Sequence, residues 1–233
     1  MSNHPSPRPA RRSVGAPALL LVPTALERRR IEDLGGLPTG LAIVETCGFG
    51  PLAAAARTAQ LLALLEPSRV VLVGICGSYD LAEHAVGAAL EFDAVAIEGI
   101  GVGEGAALLP PPALGFPQWP GSHAHAGAIF DRLELATLTA GSPPRLLLTT
   151  CAASADLAQA RVRRERFPGA LAEDMEGFAV ALACALQGVP LRIVRGVSNE
   201  VGDRAPEHWR IPAALAAARE LAIEVLSDDG WRA

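Results

Sequence analysis

Five short apolar runs, four of them followed by a helical stretch, restrict this chain to very few architectures. The runs are PALLLVP (17–23), GLAIVET (40–46), RVVLVGICG (69–77), RLLLTT (145–150) and PLRIVRGVS (190–198). A strand with one wet face alternates apolar and polar residues, whereas these runs are almost continuously apolar, the mark of strands covered on both faces. The stretches 25–34, 51–66, 154–166, 174–187 and 211–228 carry helical spacing, with Pro51 near a first turn. Strands alternating with helices predict an α/β fold: three layers, α/β/α, around a central mixed, mostly parallel, twisted sheet. Residues 89–98 are expected to add one further strand, and 99–125 to form a loop rich in proline and glycine. Ligands of such sheets sit beyond the carboxyl ends of the strands. That rule singles out Pro23–Glu27, Gly48–Gly50, Gly74–Tyr79, Thr149–Cys151 and Ser198–Asp203. The chain shows no internal repeat.

The chain has 233 residues, half of them hydrophobic and 19% charged, enough to bury a sizeable core. Residues 17–233 are read as one domain, preceded by a disordered Pro/Arg-rich tail over 1–16. That tail holds the pair Arg11-Arg12, as a twin-arginine export signal would. The apolar run beyond it is broken by Pro17 and Pro23 and closed by Glu27-Arg28-Arg29-Arg30 rather than by a small-residue cleavage site. No apolar window reaches the ~18 residues that span a bilayer, so no membrane partner is expected. A net charge of −5 without a basic stripe argues against nucleic acid. All 20 basic residues are arginine, which excludes a Schiff-base lysine and the lysine-bearing phosphate loop. Cys47, Cys76, Cys151 and Cys184 are widely spaced, consistent with free thiols in a reducing cytoplasm.

Several motifs carry chemistry on one reading and only structure on another. GVGEGA (101–106) fits a loose dinucleotide pattern, but Pro110-Pro111-Pro112 follows where a helix should start. His123 and His125 form an H-x-H pair with no cysteine or carboxylate cluster to complete a metal site, so no metal and no cofactor are expected. GICGSYD (74–80) is either a tight turn or a place where backbone N–H groups approach a ligand closely. Glu27 is either a solvated helix residue or a site carboxylate. Glu173, Asp174 and Glu176 at the head of an apolar helix exceed what a cap needs, and a carboxylate can accept from two vicinal hydroxyls at once. Ser198-Asn199 ends a strand with polar groups that a core would not leave unpaired, or else forms a side-chain turn.

Together, VPTALE (22–27), GICGSY (74–79), EDMEGFAVALACALQGVP (173–190) and RIVRGVSNEVGDR (192–204) resemble the purine nucleoside phosphorylase and methylthioadenosine/S-adenosylhomocysteine nucleosidase superfamily. The likeness spreads over about residues 18–225 and is most specific in the second half. Within the superfamily it is nearest to the futalosine hydrolases, which release hypoxanthine from futalosine on a route to menaquinone. The resemblance implies a nucleoside phosphorylase-like fold and a small-molecule nucleoside as partner. It also implies a cytoplasmic enzyme and a homodimer or higher homo-oligomer. It assigns Glu27 to positioning or deprotonating water, Asn199 to holding the departing base, and Asp203 to supplying a proton or supporting the loop. Gly77, Thr150, Asp174, Met175, Glu176, Phe178 and Ser198 are implied to bind substrate, with Glu176 on the 2′- and 3′-hydroxyls. Aromatic contacts to the 5′ substituent are expected from Phe116, Trp119, and Phe49 or Phe178. Where methylthioadenosine nucleosidases usually carry Ser-Asp, this chain has Ser198-Asn199. An amide can donate to the carbonyl of a 6-oxopurine, which an ionised aspartate would repel. No arginine stands at the end of the first strand or after GICGSY, where phosphorylases of the superfamily hold phosphate, so water is the expected nucleophile. Two alternatives stay open: an adenine-releasing nucleosidase acting on methylthioadenosine, S-adenosylhomocysteine or aminofutalosine, and a nucleoside-binding protein without turnover.

Overall fold

The computed structural model of the protein describes residues 16–121, 127–136, 144–228 and 230–231. Most of the expected tail, along with His123 and His125, lies outside the described residues. The chain opens with β1 (Ala18–Val22), α1 (Ala25–Asp33), β2 (Ile43–Thr46), α2 (Gly50–Leu65) and β3 (Arg69–Ser78). Two strands follow, β4 (Ala89–Phe92) and β5 (Ala94–Glu98), then a 3-10 turn over Gly105–Ala107 and the one-turn α3 (Pro111–Leu114). Next come β6 (Arg132–Glu134), β7 (Leu146–Thr150), α4 (Leu157–Arg166), β8 (Ala170–Asp174) and α5 (Gly177–Gln187). The long β9 (Leu191–Glu200), a 3-10 turn over Pro206–His208 and α6 (Ile211–Ser227) complete the chain.

The sheet is mixed and mostly parallel. β1 lies between β2 and β3, and the pairs β3–β9, β5–β7 and β7–β8 are also parallel. β3–β8, β4–β9 and β5–β6 are antiparallel. The pairing forms a ring. It runs from β3 to β9 and β4, passes through Asp93 into β5, and returns by β7 and β8 to the end of β3. Side chains on successive strand residues point to opposite faces, and the apolar runs obey this. Leu19, Leu21, Val70 and Leu72 pack with Ala54 and Leu61 of α2 and Val180 and Cys184 of α5. Leu20, Val22, Val71 and Val73 pack instead with Ile31 of α1 and Leu215, Ala218 and Ala222 of α6. Two helical layers therefore cover the sheet, as the continuous apolar runs predict.

Three details differ from the sequence reading. Residues 89–98 form two strands instead of one, because the chain breaks at Asp93, whose carboxylate accepts from the Arg145 backbone N–H at 2.8 Å. Residues 170–174 form β8, so the apolar helix starts at Gly177 rather than at Asp174. GICGSY contains no turn: β3 continues to Ser78, with a bulge between Cys76 and Gly77. GVGEGA lies in the expected loop and opens no helix, with Val102 and Leu109 exchanging backbone hydrogen bonds of 3.1 and 2.8 Å.

Candidate active site

The carboxyl ends of β1, β3, β8 and β9 open onto one cavity of about 420 Å³. Of the residues singled out from the sequence, Glu27, Gly77, Asp174, Met175, Glu176, Ser198 and Asn199 all line it. They come from positions as far apart as 27 and 199, and the sheet alone brings them together.

Glu27 is the third residue of α1 and is held twice over. Thr24 and Glu27 form a reciprocal capping box: the Glu27 N–H donates to Thr24 Oγ1, and Glu27 Oε2 accepts from the Thr24 N–H and hydroxyl at 3.1 and 2.6 Å. Its other oxygen, Oε1, accepts from the Ile75 N–H of β3 at 3.1 Å. The carboxylate is only 5% exposed, and it is fixed in the cavity wall, not waving from a solvated helix.

The three acids of EDME have three separate tasks. Glu173 accepts from the Ser154 N–H and hydroxyl, both at 2.7 Å, from the Tyr79 hydroxyl at 2.9 Å and from Arg163 at 3.2 Å. Asp174 caps α5: its Oδ2 accepts from the Gly177 N–H at 2.8 Å, and its Oδ1 accepts from the Thr149 hydroxyl at 2.6 Å. Thr149 Oγ1 in turn accepts from the Phe178 N–H at 2.8 Å. Glu176 turns into the cavity, where Oε1 accepts from the Gly50 N–H at 3.0 Å. Burial pushes its carboxyl up to about 7, with Arg195 drawing it down and Asp174 pushing it further up.

Arg195, in the middle of β9, is fully buried and pairs with Asp174 and with Glu176 Oε2, the latter at 3.5 Å. Gly74 is its partner in the β3–β9 register. A Cβ on Gly74 would overlap Arg195 Nη1 and stand 2.8 Å from Glu27 Oε1, so glycine is what lets this cation approach Glu27. Burial works against the charge, but Asp174, Glu176 and Glu27 outweigh it and hold the guanidinium above its ordinary range. Nε and Nη1 of Arg195 make no hydrogen bond within the protein. Buried donors of this kind cost about 1–3 kcal/mol each when unmet, which points to a functional use. The signal was visible in PLRIVRGVS, since an arginine inside a both-faces-buried strand requires carboxylate partners.

At the far end of β9, Asn199 is 6% exposed. Its Nδ2 donates to the carbonyls of Glu200 and Asp203 at 2.7 and 3.4 Å, and Ser198 Oγ lies 2.7 Å from its Oδ1. Three expected residues stand outside the lining. Thr150 is buried behind Asp174, within 3.4 Å of its carbonyl. Phe178 points from the first turn of α5 into the apolar core at 1% exposure. Asp203 turns outward, accepting from the Ala205 N–H at 2.9 Å and lying 2.7 Å from His208 Nδ1, contacts that hold its carboxyl below the usual range. Of the aromatic candidates, Phe49 lines the cavity, while Phe116 is exposed and Trp119 packs beside the core. Trp209 and Arg204 also line it, and neither was anticipated. Cys76 lines it too, but burial pushes its thiol up to about 12, too high for a nucleophile near neutrality. Among the described residues no cluster of three His, Cys, Asp or Glu is arranged to hold a metal ion, and no helix is long and apolar enough to cross a membrane.

Comparison with known proteins bears on the family and the fold. A family model described as the phosphorylase superfamily matches residues 34–228. A futalosine hydrolase from Streptomyces coelicolor is 39% identical over 186 residues, covering 78% of this chain and 76% of that protein. A futalosine hydrolase from Thermus thermophilus is 31% identical over 91% of this chain and 96% of its own length. Among solved structures, a 5′-methylthioadenosine/S-adenosylhomocysteine nucleosidase from Colwellia psychrerythraea in complex with adenine superposes with a TM-score of 0.69. It is 20% identical and covers 90% of this chain and 93% of its own.

Proposed function

The chain belongs to the phosphorylase superfamily and, within it, to the futalosine hydrolase family, and from that premise we propose that it hydrolyses the N-glycosidic bond of futalosine, releasing hypoxanthine and dehypoxanthine futalosine. The observation that carries the reading is the placement of Glu27, Glu176 and Asn199 on one cavity, each at the end of a different strand or the helix that follows it.

The chemistry follows from what each group can do. The glycosidic bond stretches toward a ribosyl oxocarbenium ion, as in glycoside hydrolysis. Glu176, when ionised, accepts from the 2′- and 3′-hydroxyls, fixing the sugar and offsetting the growing positive charge. Met175 packs against the ribose. Glu27 accepts the proton of the attacking water, and general-base assistance of this kind is worth about 10²–10⁴-fold. Arg195, fully buried behind the cavity wall, steadies the carboxylates around it. Ser198 and Asn199 border the base, and the Asn199 amide, unlike an ionised aspartate, carries no negative charge to repel a carbonyl at position 6. Four carboxylates, Glu27, Glu173, Asp174 and Glu176, line the cavity, an environment that repels phosphate and favours water.

The same reading places the enzyme in the cytoplasm, on a route to menaquinone. It also makes the enzyme a homo-oligomer. Leu26 and Phe49 of the cavity lining are 49% and 66% exposed, and Leu52 in the first turn of α2 is 88% exposed, apolar groups suited to a second copy of the chain. Incubation with futalosine in phosphate-free buffer, followed by chromatography, tests the reaction. Hypoxanthine should appear at a rate that added phosphate leaves unchanged. Turnover that needs phosphate would replace hydrolysis with phosphorolysis.

A further inference from the structure

Nothing in the mechanism above protonates the departing base. Asn199 has no titratable proton. Asp203 lies outside the lining, ionised and bound to Ala205 and His208. Glu173 is paired with Arg163. The electron pair of the broken bond must therefore settle on a base that receives no proton from these side chains, and the cavity wall holds one group suited to that charge. Among the described residues that line the cavity, Arg204 is the only basic one. Its Nη1 donates to the Ser154 carbonyl at 3.3 Å, and its guanidinium lies over Trp209, 4.7 Å from the ring centroid. The Asp203 carbonyl ties it to the base-holding residue, since that oxygen accepts from Asn199 Nδ2 at 3.4 Å and from Trp209 Nε1 at 3.1 Å. Asn199 and Trp209 thus meet at one carbonyl, and Arg204 joins them through the Trp209 ring.

Resting on the hydrolase reading, we propose that Arg204 is a catalytic residue that stabilises the departing 6-oxopurine as an anion by donating to its carbonyl oxygen. The bond between C1′ and N9 breaks with both electrons going to the base. The water oxygen bonds to C1′, and its proton passes to Glu27. The purine anion spreads its charge over the ring nitrogens and the exocyclic oxygen, then takes a proton from solvent, and Glu27 gives its proton back to solvent. A guanidinium stays charged at every working pH. Against adenine it would meet an exocyclic amine, donor against donor, so the same residue discriminates between bases.

The test compares leaving groups. Wild type, Arg204→Gln and Arg204→Lys are assayed with futalosine, whose base is a poor leaving group, and with 4-nitrophenyl β-D-ribofuranoside, whose phenolate departs unaided. Arg204→Gln should lose about 100-fold in kcat on futalosine but no more than a few-fold on the nitrophenyl riboside, and Arg204→Lys should recover part of the loss. Equal losses on the two substrates, or a change confined to KM, would overturn the proposal while leaving the hydrolase reading intact. A wild-type enzyme that frees no hypoxanthine from futalosine would overturn both.

Discussion

Glu176 combines an activity and an instability in one side chain. A carboxyl pushed up to about 7 is largely protonated below neutrality, and only the ionised form accepts from both ribose hydroxyls. The kcat/KM profile should therefore rise between pH 6 and pH 8 with a midpoint near 7. The stability linkage has the opposite sign. A folded-state pKa raised above the usual carboxylate value contributes stability below about pH 4.5 and loses it as pH rises through about 7. Glu176→Gln cannot ionise, so its thermal midpoint relative to wild type should increase from pH 5 to pH 8, by an amount on the order of a few kcal/mol in stability. The same variant should lose about 10²–10³ in kcat. Thermal melts at the two pH values check the first claim, and steady-state kinetics check the second. At this scale much was legible in the sequence. Glu27, Glu176 and Asn199 follow or end apolar runs, and strand ends are where ligands bind. That Arg195 needs carboxylate partners was legible in a covered strand, but not which ones, because Asp174, Glu176 and Glu27 come from other parts of the fold.

The junction of β8 and α5 turns those residues into a site. Asp174 ends the strand, caps the helix and neutralises Arg195, so three functions depend on one carboxylate. Asp174→Ala leaves a fully buried guanidinium with weaker partners and uncaps α5. Breaking a buried pair costs about 3–5 kcal/mol, and denaturant titration should show a loss of that size. The sequence hid this junction. ALAED (170–174) is short, and as a strand it is stabilised by β7 and by the end of β3, both remote in the chain. Local spacing therefore extended the apolar helix backward over acids that belong to a strand. The break between β4 and β5 was hidden for the same reason, since Asp93 draws its backbone partner from Arg145, 52 positions away.

Across the whole molecule, alternating apolar runs were enough to predict a covered, mostly parallel sheet, but not the ring its strands close. That closure depends on antiparallel pairs made by β4 and β8, which local patterning does not report. Leu26 and Phe49 of the cavity lining are exposed apolar side chains. Leu52 lies on the exposed side of α2, and on the proposed homo-oligomer reading Leu52→Glu should shift the protein toward monomer in light scattering coupled to size-exclusion chromatography, with the monomer fold retained. The central claim, that this cavity is built to release a 6-oxopurine by hydrolysis, is tested most directly by competition. Futalosine, aminofutalosine and methylthioadenosine would be mixed at equal concentration in phosphate-free buffer and the released bases quantified over time. A site that pairs with the base edge discriminates strongly, so hypoxanthine should exceed adenine by at least about 100-fold. Adenine as the main product would contradict the roles given to Asn199 and Arg204 and identify an adenine-releasing nucleosidase instead.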